Sequence, residues 1–361
     1  MKRRDATFRS AAIVALLCAA VASAPAAAQD LQPGRLAVEA VAAVTTTSEA
    51  ADDPFVFLDL TTTMRVSNTL DVIVRPYARR LPGGDWDALL YQAQIRYQPT
   101  DRLRVEAGIL SSPIGLGTLE LRQDLNPGVA SPFYYFGQLP RFDPQQDQLR
   151  VLSGGYPIGA IASSSGTWWD VRGGVIDGTP ARYRKVFAED NPAPAAQLIA
   201  GGGITPVPGL RFGVGLAHGA YRESEDTDYY EAPMPLPDAD ATVFNVEGEY
   251  AFGYTRLSGE WVRDRFESTT SPAVTRGFYI QGVQTLTPRI FATSRITRVS
   301  TPVLIGDQRV RQTRGAFELS GGYRLTPQWT LKGGYEASRR YGVTNWSHAA
   351  AVSIVWGKRW F

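Results

Sequence analysis

The chain alternates apolar and polar residues at period two over most of its length, in runs of about ten residues closed by turn chemistry. Phe55–Val66 is the plainest run: Val56, Leu58, Leu60, Thr62 and Met64 fall on one side, and Asp59, Thr61, Thr63 and Arg65 on the other. Arg35–Thr46 repeats it with Leu36, Val38, Ala40, Ala42 and Val44. Such a run can bury one face only as an extended strand, because a helix needs apolar residues three and four apart. Further runs are Asp71–Arg79, Asp87–Tyr97, Arg102–Leu110, Leu149–Ile161 (which contains Pro157), Trp168–Ile176, Ala196–Ile204 and Leu210–Tyr221. The last seven are Thr242–Phe252, Tyr254–Asp264, Thr275–Leu286, Arg289–Val299, Gln312–Leu325, Trp329–Arg340 and His348–Trp360, which makes sixteen in all.

The connections alternate between short and long. Short ones such as Ser67-Asn68-Thr69, Pro99-Thr100-Asp101, Ser164-Ser165-Gly166 and Thr326-Pro327-Gln328 follow even-numbered strands. Long ones, rich in Pro, Asp and Gly, follow odd-numbered strands, as in 177–195 and 222–240. So much strand is unusual for a soluble domain, but normal where every backbone group must pair within a closed sheet that crosses a membrane. An even strand number, strands of this length and turns unequal at the two ends all predict a transmembrane antiparallel up-and-down β-barrel, all-β, of about 16 strands. In such a barrel the apolar face looks outward to lipid and the polar face inward. Tyr97, Tyr250, Phe252, Tyr323 and Trp329, at strand ends on the apolar face, suit an interfacial girdle.

The first 28 residues have a different character. Lys2, Arg3, Arg4 and Arg9 precede an apolar stretch from Ala11 to Ala22, and Ala26-Ala27-Ala28 supplies small residues for cleavage. This is the order of a secretory signal peptide, expected to leave 29–361 as the mature barrel. Its loss removes four basic residues and Asp5, so 37 basic and 35 acidic residues become 33 and 34. That balance gives no reason to expect nucleic acid as a partner. The single Cys, Cys18, leaves with the segment, which excludes a disulfide scaffold or thiolate metal site in the remainder.

With these features the chain resembles the Gram-negative general porin superfamily over its whole mature length. The resemblance rests on the signal peptide, the sixteen strands, a last strand ending in Phe361, and a long segment after the fifth strand. That segment, 111–148, reads SSPIGLGTLELRQDLNPGVASPFYYFGQLPRFDPQQDQ. In general porins the third external loop folds into the lumen, and the resemblance implies the same here. It also implies outer-membrane lipid as surroundings, small hydrophilic solutes and ions as cargo, a homotrimer, and the barrel assembly machinery as a partner during biogenesis. The C-terminal signature departs from the pattern: Val352, Ile354 and Trp356 are out of phase with Phe361, and a bulge is expected to restore the phase.

With the apolar face outward, Arg65, Arg75, Arg79, Arg96 and Arg104 share one inner wall on strands two to five. By the resemblance they face acids of the inserted loop: Glu120 and Asp124, with Asp143 and Asp147 nearer its end. Opposed charges across a narrow pore set up a transverse field that orients dipolar solutes and sets ion preference. Glu39, Asp59 and Glu106 are the acids near enough to pair with these arginines, so the wall carries an arginine excess. Asp170/Arg172, Arg256/Glu260/Asp264, Arg314/Glu318 and Lys332/Glu336/Arg340 read as balanced, wetted wall.

Enzymatic readings find little support. His218 and His348 lie beside no nucleophile motif, and Gly201-Gly202-Gly203 lacks the Lys-Ser/Thr of a phosphate loop. No cofactor or metal is expected. The expected function is a passive diffusion pore. The alternative is a channel for one solute class, anions first given the arginines, or more remotely an enzyme or adhesin on a barrel scaffold.

Overall fold

The computed structural model describes residues 32–111, 114–116, 122–129, 140–143, 148–151, 157–177, 196–222, 239–267, 272–305, 308–339 and 344–360. The expected signal peptide, Phe361, Glu120 and Asp147 lie outside them. The strands are β1 (Leu36–Thr47), β2 (Phe55–Ser67), β3 (Leu70–Arg80), β4 (Trp86–Tyr97), β5 (Leu103–Ile109), β6 (Pro140–Asp143), β7 (Gln148–Val151), β8 (Ile158–Ser165) and β9 (Trp169–Asp177). They continue as β10 (Ala196–Val207), β11 (Leu210–Arg222), β12 (Ala239–Phe252), β13 (Thr255–Phe266), β14 (Ala273–Thr285), β15 (Ile290–Ile305), β16 (Gln308–Arg324), β17 (Trp329–Arg339) and β18 (Ser347–Trp360).

Sixteen of them form one closed antiparallel barrel in chain order, with β18 pairing back onto β1. β6 and β7 stand apart as a two-stranded hairpin. The sixth barrel strand therefore differs from the expected Leu149–Ile161. Leu149 belongs to the hairpin, opposite Phe142, and the barrel strand runs Ile158–Ser165, past the Ser164-Ser165 expected in the turn. Pro157 explains the break: it has no N–H to give the ladder, and its carbonyl accepts from Leu110 at the strand's entrance instead.

The faces are inverted relative to a soluble sheet. On β14, Ala273, Thr275, Tyr279 and Gln281 are buried while Ile280 between them is 59% exposed. On β15, Thr293, Arg295, Thr297 and Val299 are buried and Ile296 is exposed. A closed barrel has only an inside and an outside, so the buried polar set lines the interior and the exposed apolar set forms the outer wall. Tyr97, Tyr250, Phe252 and Tyr323 stand exposed on that wall at the short-turn end, and Trp329 packs near Trp356 with ring centres 6.4 Å apart.

Two register details matter for the interior. Between β3 and β4, Arg75 pairs Gln92 while Pro76 pairs Leu90, leaving Tyr91 as an extra residue. This bulge switches the parity of β4, so that Asp87 and Arg96 both face inward although their numbers differ by an odd step. Between β18 and β1 the register is continuous from Val38↔Trp360 to Thr47↔Ala351, so the expected bulge does not occur among the described residues. The aromatic that ends the outer face in phase with Val352 and Ile354 is Trp360.

Candidate functional site: the inner wall

The five arginines all lie on the inner face, and each meets a carboxylate. Arg65 bonds Asp71 at 2.9 Å, Arg96 reaches Glu106 at 3.0 Å, and Arg104 is 3.5 Å from the same Glu106. Arg79 is 3.5 Å from Asp87. Arg75 grips Asp59 through Nη2 at 2.6 Å and Nε at 2.9 Å, the two-point fork that only a guanidinium offers, and stacks over Tyr91. Sequence reasoning missed Asp71 and Asp87, which face the arginines directly across a strand pair. It assigned Glu39 to this wall, whereas Glu39 pairs with Arg122. Five arginines and four carboxylates leave a smaller excess than expected.

Nor do the five share one level. Pairing aligns Arg65, Asp71, Arg96 and Glu106 in one row near the short-turn end, while Arg79 lies at the opposite end of β3. They form a column along the pore axis. Exposure separates them: the Arg75 side chain is 8% accessible and the Arg104 side chain 47%. Arg75 therefore braces the wall, and Arg104 faces open lumen. Beside Arg104 a recess of about 190 Å³ opens between Arg102, Arg104, Arg172 and Ser163–Ser165, with Asp101 and Asp170 at its edge. Asp170 is already engaged by Arg211, which also bonds Glu247 at 2.6 Å.

Residues 114–116 and 122–129 of the 111–148 segment lie against the inner wall. Ile114 is 1% exposed and packs with Ile161, Ile199 and Val262. Leu116 donates its N–H to Glu260 at 3.1 Å, and Val129 donates to Glu318 at 2.8 Å. Lys332 donates to the carbonyls of Gln123, at 2.6 Å, and Asn126. Arg122 bonds both oxygens of Glu39 at 2.9 and 3.0 Å and pairs with Asp124 at 2.6 Å. Burial opposes the Arg122 charge, but the hydrogen bonds it donates to Glu39 and Asp124 outweigh this and hold the guanidinium above the usual arginine range.

Glu260 and Glu318, with Lys332, belong to groups that the sequence read as plain wetted wall. Here they are the points that receive the loop. Two glycines allow the approach: Gly115 sits at φ +88°, and a side chain on it or on Gly128 would run into the Glu260 or Glu318 carboxylate. β13, which carries Glu260, is eight staves from β3 in a ring of sixteen, so the first contact lies across the lumen from the arginine column. Asp124 does not face that column: Arg122 engages it, and it lies beside Gly357 of β18. Asp143 sits in β6, paired in the ladder with Gln148.

His218 and His348 point to the outer face, bonded to Thr242 and Tyr335. Among the described residues no three His, Cys, Asp or Glu side chains group as metal ligands.

This architecture is a porin-like sixteen-stranded barrel, and solved structures of that kind share it. Outer-membrane expressed OmpT of Vibrio cholerae superposes with a TM-score of 0.57 at 11% identity, over 90% of this chain and 97% of that one. An anion-selective porin from Comamonas acidovorans gives 0.57 at 10% identity, over 90% and 99%. The outer-membrane channel DcaP of Acinetobacter baumannii gives 0.57 at 9%, over 90% and 96%. Identities this low establish likeness of fold alone. No protein-family model matches the chain, and no curated protein does either.

Proposed function

We propose that the protein is a pore of the Gram-negative outer membrane that passes small hydrophilic solutes and ions by passive diffusion. The observation that carries this is the inversion of the sheet: a closed barrel, apolar outside, whose inner face holds ion pairs and hydroxyls. Such a wall supports a column of water and suits no lipid-filled or dry interior. The segment 111–148 narrows the lumen by running along β13, β16 and β17. Selectivity comes from the arginine column, with Arg104 as its most exposed member. The acids of the loop act less as an opposing electrode than the sequence suggests, because Asp124 is held by Arg122. Export through the signal peptide, insertion by the assembly machinery and a trimeric state belong to the same reading. Transport, not catalysis, is the activity.

An anion-preferring channel is the second reading. The recess at Arg102, Arg104 and Arg172 favours it, since three arginines line it against two acids and one of these, Asp170, is engaged by Arg211. The porin-like neighbour from Comamonas acidovorans is described as anion-selective.

Single-channel recording in a planar bilayer under a salt gradient tests both. Stepwise conductance that scales with salt supports an open pore. A reversal potential on the anion side that collapses in Arg104→Gln supports the second reading. Correctly folded protein without conductance would sink the pore.

A further inference from the structure

The outer wall is almost free of charge, which makes its exceptions informative. Among the described side chains, the outward positions of the barrel strands carry one carboxylate, Asp240 at the start of β12. Arg80 of β3, held by Asp53, Arg339 of β17, over Trp346, and Lys358 of β18, over Trp360, stand apart; the other basic residues described on that face are gathered. Arg263 and Arg265 of β13, Arg276 of β14, Arg298 of β15 and Arg311 of β16 occupy four consecutive strands, all toward the long-loop end. Each is exposed and is flanked in its strand by inward-facing neighbours, such as Val262 and Asp264 around Arg263.

Their register brings them together. Arg263 lies directly opposite Arg276, and Arg276 directly opposite Ser300. Arg311 extends over β15 to the Ser300 hydroxyl at 3.3 Å and the Val274 carbonyl at 3.1 Å, so its head sits beside Arg276. Arg298 is one outward position below Ser300, level with Trp261 and Phe278. Among the described residues, Arg265 alone of the five has an acid in reach, Glu267 at 3.9 Å. Like charges directly opposed across a strand pair repel, and no acid among the described residues pairs with either member. Guanidinium groups at a membrane boundary find their natural counter-charge in phosphate, which they hold by two-point hydrogen bonds.

We propose that Arg263, Arg276, Arg298 and Arg311 form a binding site, on the lipid-facing wall, for the phosphate of a membrane lipid headgroup at the long-loop end. The inference rests on the transmembrane reading of the barrel and goes beyond the pore. A transported solute cannot reach these groups, because the wall separates them from the lumen. A second copy of this chain is a poor occupant, because its outer face offers almost no carboxylate. Trp261 and Phe278 lie level with Arg298 and below Arg263 and Arg276, where acyl chains would meet the wall while the phosphate sits above.

The test is native mass spectrometry of the folded, detergent-purified barrel with lipid A carrying both phosphates, and with the same lipid stripped of phosphate. Wild type should retain the phosphorylated form at lipid concentrations at least about tenfold lower, the signature of one or two charge-assisted bonds. R263Q/R276Q/R298Q should abolish that preference while still migrating as a folded barrel before heating. R298Q alone should weaken it, and the triple lysine variant should keep part of it, since charge survives and the fork does not. Equal retention of the two lipids by wild type, or an unchanged preference in the triple glutamine variant, overturns the site. Displacement by millimolar inorganic phosphate as effectively as by lipid makes it a free-anion site and overturns the lipid assignment. Conductance is recorded separately, so a barrel that binds phosphorylated lipid but passes no current refutes the pore and leaves the site standing.

Discussion

Lys332→Gln should release the lumenal segment without opening the barrel. The Lys332 side chain is 2% exposed, and its ammonium is shared between two loop carbonyls, those of Gln123 and Asn126. A hydrogen bond to a charged group contributes about 1.5–3 kcal/mol, and lumen water can replace part of what is lost. Taking about 3 kcal/mol for the pair, the ratio of seated to unseated loop falls by about two orders of magnitude. The sheet is spared, because the ladders β16·β17 and β17·β18 are built from backbone bonds that the substitution leaves alone. Two readouts follow. Single-channel traces of wild type should be steady, and those of the variant should flicker to a higher level. Trypsin should cut at Arg122 in the folded variant and spare it in wild type, where Glu39 and Asp124 enclose it. A variant with wild-type current noise and an uncut Arg122 would show that Lys332 does not hold the loop, and the reasoning would fail at its first step.

Gly115→Val should have the same direction for a steric reason: its φ of +88° and the nearby Glu260 carboxylate leave no room for a side chain, so current fluctuations should rise while the heat-denaturation temperature barely moves. Arg75→Gln and Arg104→Gln should part company. The first strands the buried Asp59 and should cost about 3–5 kcal/mol in urea titration, whereas the second removes an open, water-screened contact and should shift ion preference with stability unchanged. Ile280→Arg, on the outer face of β14, should cost about 2–4 kcal/mol in vesicles, and the barrel's orientation is wrong if it costs nothing. Arg122 has a folded-state pKa raised above its ordinary value, so its contribution to stability is present below that value and is lost only as pH rises past it. Tryptic protection at Arg122 should therefore be flat between about pH 7 and 10, as its ordinary value already lies above about 12.

The strands were legible because alternation at period two fits only extended chain; which face is outward took the strand number, the charges on the polar face and the aromatic strand ends as well. Boundaries held within a few residues wherever turn chemistry was local, as at Gly253 and at Thr326-Pro327-Gln328. They failed at Leu149–Ile161, where alternation continues through a hairpin that is not part of the wall, and Pro157 was the residue that marked the true start. Arg96 was placed inward by its charge, not by its number; only the bulge at Tyr91 makes that placement agree with Asp87 on the same strand. The arginine column was visible as residue types, but its pairing was not, because Asp71 and Asp87 were passed over at strand ends. The loop contacts could not be read at all. Leu116 and Glu260 are 144 residues apart, and Gln123 and Lys332 are 209 apart, with no local pattern to connect them. Glycines at 115 and 128, two of four in the segment, were the available hint, and they have meaning only once the facing carboxylate is known.

The pairing of β18 with β1 carries a consequence for how the molecule is made. The side-chain bond from Thr45 to Ser353, at 2.8 Å, joins residues 308 apart, so the seam closes only when nearly the whole chain exists. Until then a growing sheet presents two raw edges, β1 and whichever strand came last, each able to pair with a stranger. Neighbouring strands can zip locally and early, but the seam must bring together parts at the greatest sequence distance in the fold, which is the slowest kind of contact to form. Segment 347–360 is thus the clasp of the barrel. Losing it would convert a self-contained cylinder into a sticky sheet, so a truncation of a dozen residues at this end should be far more damaging than the loss of a much longer stretch from any external loop.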